Sequence, residues 1–549
     1  MATLVIEDVA FPTLSTAELT CLRTKATART YADGDIIFQA GQAEIDFHVV
    51  ESGAIEIINP VDGDRVVATH HAGGFAGDID MLTGRPVNVT ARASGETRVL
   101  QLPHQMVRHI LNRVPSLGEK LMNAFTLRRE MLTHAGNLGL RVVGPGRCRD
   151  TAVVREFLYK NFVPFTWFDS DTPEGRQAFV DLGSPKKTPA IECRDGSILL
   201  NPTLRELANA AGIWRHCPNQ AVDLAIVGAG PAGITTAVYA ASEGLSTLLL
   251  DRLGPGGQAG GSSRIENFIG FPAGLTGADL ATRGVLQMLK FGAQLVAPVS
   301  VEKITPAETR GGQHTLHLDC GAQIKSRVIL IAAGVRWRKL EAPGAERYER
   351  AGIYYACTVV EADLYDRADV AVVGAGNSAG QAVMFLADCC PHRTVHLLIR
   401  RTLGPGMSSY LANRIRSARN IVVHEQTEIE SVHGGTHVEA IEIKNNESGE
   451  RQRLDCSAVF VFIGAEPAAD WLPAGIAKDK NGYLLTGPDA VRSGAWPCPD
   501  REPCPLETTV PGILAAGDIR VGATKRVGFA VGDGSLAVTC VHRLLSIQN

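Results

Sequence analysis

The chain has 549 residues and a formal net charge of −4 at pH 7, with 45% hydrophobic and 20% charged residues. A chain of this length is too long to fold around one hydrophobic core, so three or four domains are expected. The weak net charge argues against nucleic acid or a membrane surface as partner. The amino-terminal residues lack a signal-peptide pattern, and no apolar run is long enough to span a bilayer. The 12 cysteines have no dense spacing pattern, which favours free thiols in a reducing compartment. We therefore expect a cytoplasmic protein without a metal site.

Residues 1–135 are predicted to form short strands followed by helices. Two strands are expected within 49–58, on either side of a turn at Ser52-Gly53. The pattern becomes helical from about His104 to Arg129. This segment resembles the cyclic-nucleotide-binding domain, which is a small β-roll with a helical lid.

That resemblance implies a ligand site whose key residues have changed. In the family, a Gly-Glu pair holds the ribose and an arginine after a proline binds the cyclic phosphate. Here Gly77-Asp78 stands at the first position, and Val87 follows Pro86 where the arginine is expected. A buried phosphate would then have no charge partner, unless Arg85 substitutes for it. We expect a domain used for packing or for another ligand, with no strong binding of cyclic nucleotides.

A second domain is predicted over 141–215, after a linker at 136–140. Strands are expected near 141–143, 165–169 and 188–191, and helices near 149–161 and 203–211. This order resembles the glutaredoxin and thioredoxin fold, and Thr188-Pro189 matches its cis-proline position.

The redox motif of that fold is incomplete in this chain. Cys148 stands at the first position of the C-x-x-C motif, at the amino terminus of a predicted helix, where the resemblance implies a nucleophilic cysteine. Thr151 occupies the second position, so dithiol exchange cannot be completed within the motif. A monothiol role or a structural role remains, and we favour the structural one.

A polar linker at 218–220 leads into a βαβ unit from Asp223 to Asp251. An apolar strand is followed by glycines in G-x-G-x-x-G spacing and by an Ala-rich helix that stops near Gly244. The first glycine allows a tight turn, the second lets a pyrophosphate approach the backbone, and the third lets helix and strand pack. The acid that ends the second strand can bind a ribose hydroxyl. The predicted dinucleotide-binding residues are Gly228, Gly230, Pro231, Ala232, Gly233, Asp251 and Arg252.

Further motifs downstream are similar to those of the thioredoxin reductase family, from Asp223 to the carboxyl terminus. They are the segments 256–258, 265–272, 328–334, 512–518 and 525–527. The resemblance implies a FAD-binding domain over 222–343 and 465–549, and a homodimer. It also implies FAD contacts from Gly257, Gln258, Asn267, Ala333, Gly334, Gly517, Asp518, Lys525, Arg526 and Val527.

A second βαβ unit, within a predicted NAD(P)H-binding domain over 344–464, has its own glycine motif. Its predicted cofactor residues are Gly374, Gly376, Asn377, Ser378, Ala379, Arg400, Arg401 and Gly464. The second strand ends in two arginines instead of an acid, and arginines pair with a ribose 2′-phosphate. NADPH is therefore favoured over NADH. No further arginine occurs in 402–405, so the preference is expected to be incomplete.

The redox C-x-x-C of thioredoxin reductases is also incomplete. Cys357 occupies its first position and is the one candidate catalytic residue, but Val360 stands at the second. Hydride transfer from NADPH to FAD needs only two stacked rings in a dry cleft, so the first half-reaction is retained. Three alternatives follow. One is electron transfer from flavin to a small acceptor such as oxygen or a quinone; a second is disulfide reduction by Cys498 and Cys504; a third is a non-catalytic flavin sensor. We favour the first.

The predicted fold class is a multidomain α/β protein, with an N-terminal β-roll, a thioredoxin-like domain and two Rossmann-like domains.

Overall fold

The computed structural model describes residues 7–60, 63–134, 139–214, 221–262, 264–357 and 359–548. The predicted linkers at 136–140 and 218–220 lie largely or wholly outside these ranges. None of the helices within them is long and apolar enough to cross a membrane.

The amino-terminal part is an antiparallel β-roll covered by helices. Its sheet has the order β1-β6-β3-β4, with β2 on β6 and β5 on β3. The strands are β1 Thr27–Tyr31, β2 Ile36–Phe38, β3 Phe47–Asn59, β4 Arg65–His71, β5 Phe75–Ala76 and β6 Thr90–Leu102. The helices are α1 Thr16–Arg23, α2 Asp80–Thr83, α3 His104–Arg113 and α4 Pro115–His134. The predicted change from strands to helices near His104 is confirmed.

The prediction of two strands around Ser52-Gly53 is wrong. Strand β3 continues through this point, and its pairing with β6 shifts register on both sides of Ser52. Gly53 has a φ of +80°, and a Cβ there would lie 2.5 Å from the carbonyl oxygen of Glu96. The Ser-Gly pair therefore marks an irregularity within a long strand, with the glycine needed for close approach to β6.

The next unit is a four-stranded sheet of thioredoxin-like topology, in the order β10-β9-β7-β8. Strand β7 pairs parallel to β8 and antiparallel to β9. The strands are β7 Leu140–Gly144, β8 Phe165–Asp169, β9 Ala190–Glu192 and β10 Ile198–Leu200. The helices are α5 Arg149–Lys160, α6 Pro173–Asp181 and α7 Leu204–Ala210. The Thr188–Pro189 peptide bond is cis, as predicted. Helix α6 was not predicted, although Thr172 caps it and Pro173 begins it.

The first Rossmann-like sheet has the order β13-β12-β11-β16-β15-β14. Strands β13, β12, β11 and β16 pair in parallel, and β14 and β15 continue from β16 in antiparallel pairing. The strands are β11 Val222–Val227, β12 Thr247–Leu250, β13 Gln294–Val296, β14 Val301–Thr305, β15 His314–Leu318 and β16 Gln323–Ile331. The helices are α8 Pro231–Ser242 and α9 Gly277–Phe291, and β17 Val335–Trp337 leaves the unit.

The second Rossmann-like sheet is wholly parallel, in the order β18-β25-β19-β20-β21, and it carries an antiparallel meander of β22, β23 and β24. The strands are β18 Ile353–Tyr354, β19 Val370–Val373, β20 Val395–Leu398, β21 Ile421–His424, β22 Thr427–His433, β23 Ala440–Asn445, β24 Arg451–Asp455 and β25 Ala458–Val461. The helices are α10 Val359–Leu364, α11 Asn377–Cys389 and α12 Ser409–Ser417.

The chain then returns to the first Rossmann-like unit. Strand β26 (Ala465–Pro467) pairs antiparallel with β17, so the two crossings between the units lie side by side. Strand β27 (Ile513–Ala515) joins β16 in parallel. Two helices complete the unit, α13 Pro488–Arg492 and α14 Val527–Gln548. The hydroxyl of Thr236 on α8 donates to the carbonyl oxygen of Gly534 on α14 at 3.0 Å. The carboxyl-terminal helix therefore packs directly on the helix of the first glycine motif.

Candidate functional site

At two of the three glycines after β11, a side chain would overlap neighbouring backbone atoms. At the third, the space beside the backbone is open. Gly228 has a φ of +108°, and a Cβ there would lie 2.4 Å from the carbonyl oxygen of Ala332. A Cβ on Gly233 would lie 1.9 Å from the carbonyl oxygen of Gly228. A Cβ on Gly230 would meet only the Cα of Gly257, at 4.0 Å. The open position is the one assigned to pyrophosphate approach.

The amino terminus of α8 is suited to bind an anion. Gly230 is its N-cap residue and gives no side-chain hydrogen bond, and Pro231 is the first helical residue. The first-turn N–H groups, including those of Ala232 and Gly233, have no intrahelical acceptor. Free N–H groups and the helix dipole favour a phosphate group. The residues present therefore fit the pyrophosphate of a dinucleotide.

Asp251 ties the glycine turn to the loop after β12. Its Oδ2 accepts the N–H of Ala229 at 2.8 Å. Its Oδ1 accepts the N–H groups of Leu253 at 2.9 Å and Gly254 at 2.8 Å. The carboxylate thus organises the backbone around the site, and its predicted contact with a ribose hydroxyl stays a prediction. Arg252, the next predicted residue, is exposed.

The segment after Asp251 folds over the glycine turn. The N–H of Gly256 donates to the carbonyl oxygen of Ala229 at 2.8 Å, and Gly257 has a φ of +54°. The side-chain amide of Gln258 donates to the carbonyl oxygen of Val335. These contacts bring the Gly-Gly-Gln segment to the end of β16, where Ala333 and Gly334 lie.

Asn267 lies in an exposed part of the structure. Its neighbours Phe268 and Phe271 stack with ring centroids 6.1 Å apart. Within the described residues, no hydrogen bond joins the Asn267 side chain to the glycine turn, and its predicted FAD contact stays a prediction.

The carboxyl-terminal motif reaches the same helix end. A Cβ on Gly517 would lie 3.2 Å from the Cβ of Ala232, and the Gly517 N–H donates to Asp533 at 2.9 Å. Burial raises the pKa of Asp518, and nearby Lys525 opposes the rise. Lys525 itself donates to the Tyr483 hydroxyl at 2.9 Å. The three residues predicted to line the flavin ring, Lys525, Arg526 and Val527, lead into α14, which begins at Val527.

The second glycine motif repeats the geometry of the first. Gly374 has a φ of +144°, and a Cβ there would lie 2.5 Å from the carbonyl oxygen of Phe462. Gly376 is the N-cap of α11, without a side-chain cap, and a Cβ on it would meet only the Gly406 carbonyl oxygen, at 3.9 Å. Ala379 is fully buried in the G-x-G-x-x-A position. The residues fit a second pyrophosphate.

The remaining predicted contacts around this helix end differ in their environments. The Asn377 side-chain oxygen accepts the N–H of Ser408 at 2.8 Å, whereas Ser378 is exposed in the first turn of α11. Gly464 lies at the crossing back to the first unit with a φ of +99°.

The two arginines after β20 are not equivalent. Both are exposed, but the Nε of Arg400 pairs with Glu428 at 3.0 Å. The Arg401 side chain makes no hydrogen bond or ion pair with any part of the chain that the structure describes. Arg401 is therefore the freer cation for a ribose 2′-phosphate.

The environment of the thiol at the incomplete redox motif disfavours its thiolate form. Cys357 lies two residues before the start of α10 and packs against the core of the second Rossmann-like unit. Burial raises the pKa of its thiol, Glu361 adds to the rise, and Arg393 partly opposes it. Because the thiolate is the nucleophile, this environment disfavours disulfide exchange.

Cys504 lies outside the regular helices and strands, as its proline-rich sequence context predicts, but its side chain is buried. With Cys498 it forms the candidate dithiol pair, but it is 1% exposed and part of the core of the first Rossmann-like unit. Its Sγ lies 4.0 Å from the carbonyl oxygen of Cys540. Packing against the carboxyl-terminal helix therefore buries one of the two thiols of the candidate pair.

The ribose and cyclic-phosphate positions of the β-roll are occupied by internal contacts. Arg129 on α4 pairs with Asp78 at 2.8 Å and with Asp80 at 2.6 Å. Val87 is 3% exposed. Arg85, the candidate substitute cation, donates to the carbonyl oxygen of Asn161 in the thioredoxin-like unit.

The incomplete motif of the thioredoxin-like unit faces the second Rossmann-like unit. Cys148 is the N-cap of α5 and is partly exposed. Thr151 is fully buried, and its hydroxyl has no hydrogen-bond partner within the described residues. The guanidinium of Arg147 lies 5.0 Å from the centre of the Tyr365 ring, just beyond α10. The structural role favoured for this motif stays a prediction.

Residues 222–534 match the family described as pyridine nucleotide-disulphide oxidoreductase. The chain belongs to this family. Its members use FAD and NAD(P)H, so the predictions of an NAD(P)H-dependent flavoprotein oxidoreductase and of both cofactors are confirmed. Residues 28–114 match the cyclic nucleotide-binding domain, which confirms the resemblance of the β-roll.

The oxidoreductase is 31% identical over 315 residues to the thioredoxin reductase of Treponema pallidum, a match covering 57% of this chain and 94% of that protein. It is 30% identical over 321 residues to the F component of alkyl hydroperoxide reductase from Escherichia coli, covering 58% of this chain but only 57% of that relative. The solved thioredoxin reductase of Lactococcus lactis matches with a TM-score of 0.51 and 26% identity, over 59% of this chain and 99% of its own. The predicted thioredoxin reductase-like fold is thereby confirmed.

Proposed function

We propose that this oxidoreductase takes a hydride from NADPH and passes the electrons from FAD directly to a small acceptor, such as oxygen or a quinone. The observation that carries the proposal is the absence of a partner thiol at the redox motif. Cys357 is followed by Val360 where the family resemblance implies the flavin-facing cysteine. Without that second sulfur, the motif itself cannot take two electrons by closing and opening a disulfide.

The environment of the remaining thiol supports the same conclusion. Partial burial and the nearby Glu361 raise the pKa of Cys357, so the thiol stays protonated and weakly nucleophilic near neutral pH. The alternative pair is also disfavoured, because Cys504 lies in a packed core instead of an accessible loop. Direct transfer from the flavin needs neither site.

The chain's own residues account for the binding steps. The amino terminus of α8 would hold the FAD pyrophosphate, and that of α11 the NADPH pyrophosphate. Arg401 would pair with the 2′-phosphate of NADPH. When bound, FAD would accept a hydride and return two electrons, so that NADPH, a proton and a quinone give NADP⁺ and a quinol.

Anaerobic stopped-flow spectroscopy tests the proposal. NADPH should bleach the flavin absorbance, and a quinone or oxygen should restore it in a second phase. Cys357→Ser should leave both phases within about twofold of the unsubstituted protein, since direct transfer from the flavin bypasses the thiol.

Two results would count against the proposal. One is a flavin that NADPH does not bleach. The other is turnover that requires thioredoxin or another disulfide and disappears in Cys357→Ser, which would return the activity to disulfide reduction.

A further inference from the structure

The carboxyl-terminal end of α5, in the thioredoxin-like unit, is seated on the FAD-site loop. The side-chain amide of Asn161, the C-cap residue of α5, donates to the carbonyl oxygen of Leu253 at 2.8 Å. The same amide donates to Phe157 of its own helix at 2.9 Å. Asn161 is 1% exposed. The hydrogen bond to Phe157 is buried and the one to Leu253 is partly buried, so water poorly replaces them when the amide is removed.

Hydrogen bonds continue from Leu253 to the glycine turn. The N–H groups of Leu253 and Gly254 both donate to one carboxylate oxygen of Asp251. The other oxygen of Asp251 accepts the N–H of Ala229, which lies between the first two motif glycines. Asn161 is therefore joined to the FAD turn through two residues of the loop, although 92 positions separate it from Leu253.

The packing at this contact leaves no room for a side chain. Gly254 has a φ of +155°, and a Cβ there would lie 2.7 Å from the Asn161 amide nitrogen and 3.1 Å from the Cβ of Lys160. Lys160 brings a positive charge to this contact. Its ammonium lies 3.5 Å from the carbonyl oxygen of Gly257 in the loop and 3.0 Å from the Glu156 carboxylate on its own helix. The loop and the helix end are thus complementary in shape.

Other contacts hold the helix end in place. The guanidinium of Arg85, in the β-roll, donates to the carbonyl oxygen of Asn161. Arg350, in the second Rossmann-like unit, pairs with Glu156 at 2.6 Å. Phe162 packs against the core of the first Rossmann-like unit. Four parts of the molecule therefore meet at one helix end, which positions the Asn161 amide on the loop.

We propose that Asn161 is a positioning residue of the FAD site. By holding the Leu253 carbonyl, it fixes the turn that presents Asp251 to the glycine motif, before the cofactor arrives. The thioredoxin-like unit thus completes the flavin site. The inference depends on FAD binding at the Gly228 turn and not on the identity of the electron acceptor. The solved Lactococcus reductase aligns over 99% of its length with only 59% of this chain, so a flavin site completed by an upstream unit would distinguish this chain.

The full-length Asn161→Ala variant tests the proposal through FAD affinity. The FAD dissociation constant, measured by flavin fluorescence on the apoprotein, should rise about tenfold or more, as expected for the loss of a partly buried hydrogen bond from a buried amide. Hydrogen exchange in the apoprotein should become faster over residues 251–258. Activity should recover when excess FAD is added, with the KM for NADPH unchanged.

Arg205→Ala is the matched control. Arg205 joins the same two units through a pair with Asp319 at 3.2 Å, and both side chains are partly exposed. This variant should keep the FAD affinity and the exchange pattern of residues 251–258. Lys160→Met, which removes the ammonium group and its contacts with Gly257 and Glu156, should weaken FAD binding about two- to threefold.

Unchanged FAD affinity and exchange in Asn161→Ala would overturn the proposal, as would an equal loss in Arg205→Ala. If Asn161→Ala does not fold, Asn161→Ser and Lys160→Met are measured in the same way, and wild-type values in both overturn it. A failure of the proposed function leaves these results intact, because FAD binding and exchange are measured without an acceptor.

Discussion

Arg129 forms an ion pair with Asp78, with 2.8 Å between the guanidinium Nη2 and the carboxylate oxygen. Asp78 occupies the position at which the cyclic-nucleotide-binding resemblance implies an acid that holds the ribose. The acid is therefore used inside the β-roll, where the long helix α4 supplies its cation. The position implied for ribose binding is therefore occupied by an ion pair that joins α4 to the rest of the β-roll.

We predict that the protein does not bind cyclic nucleotides. A cyclic phosphate would have to be buried beside Val87, without a cation, and its ribose would compete with Arg129 for Asp78. Isothermal titration calorimetry of the full chain with cyclic AMP and cyclic GMP should show no heat beyond dilution. A saturable isotherm with a dissociation constant in the micromolar range would contradict this prediction.

The same cluster predicts a pH-dependent stability. Burial and the neighbouring Asp80 raise the pKa of Asp78 to about 6, although Arg129 and Arg128 oppose the rise. The folded state therefore binds this proton more tightly than the unfolded state, whose value is near 3.8. The contribution of Asp78 to stability should be greatest below the unfolded pKa and should fall as pH rises through the folded one.

Asp78→Asn removes this titration. The free energy of unfolding of the wild type, relative to that of the variant, should decrease between about pH 4 and pH 6 by up to about 3 kcal/mol and then level off. Urea unfolding followed by circular dichroism across that range measures the difference. If the unfolding free energy of the wild type, relative to that of the variant, instead rises with pH, the ion pair with Arg129 outweighs the cost of burying the Asp78 carboxylate.

Coenzyme preference should depend on Arg401 more than on Arg400. Arg401→Ala should lower kcat/KM for NADPH by roughly 10- to 100-fold, the cost of a charged hydrogen bond, and leave NADH little changed. Arg400→Ala serves as the control and should have a smaller effect, because Arg400 already pairs with Glu428. Steady-state kinetics with both coenzymes measures the ratio. Equal losses for NADPH and NADH in Arg401→Ala would exclude a 2′-phosphate contact.

Cys357 should resist alkylation in the native protein. Because the pKa of Cys357 is raised, its thiol has a smaller thiolate fraction than an exposed thiol. Iodoacetamide should therefore modify Cys357 at least about tenfold more slowly than the exposed Cys21. Mass spectrometry of digests taken at successive times gives both rates. Unfolding in urea before labelling should remove the difference, which shows that the environment of Cys357 causes it.

The sequence predicted the motifs in which local geometry and chemistry coincide. Gly228 and Gly233 have the spacing that strand, turn and helix require, and the structure shows why no side chain fits there. The Ser52-Gly53 pair misled because the same residues suit a hairpin turn and an irregularity within a long strand. Only the pairing of β3 with β6 distinguishes the two.

Contacts between distant segments were beyond prediction from local patterns. Asn161 ends a predicted helix, and an asparagine at that point indicates only a helix cap. Its contact with Leu253 depends on how the thioredoxin-like unit packs on the loop after β12. Cys504 shows the same limit, since its proline-rich surroundings in the sequence conceal its burial against α14.

The three glycines of the first motif should separate folding from cofactor binding. Gly233→Ala should destabilise the apoprotein by roughly 1–3 kcal/mol or more, because the new Cβ would overlap the Gly228 carbonyl oxygen. Gly230→Ala should cost the apoprotein less than about 1 kcal/mol, since the space beside it is open and glycine is only a modestly better helix cap. The added methyl group nevertheless stands where the pyrophosphate must approach α8, so FAD affinity should fall at least about 100-fold. Urea unfolding of the apoprotein and fluorescence titration with FAD measure the two effects separately. Normal FAD binding by a folded Gly230→Ala variant would place the pyrophosphate elsewhere than at this turn.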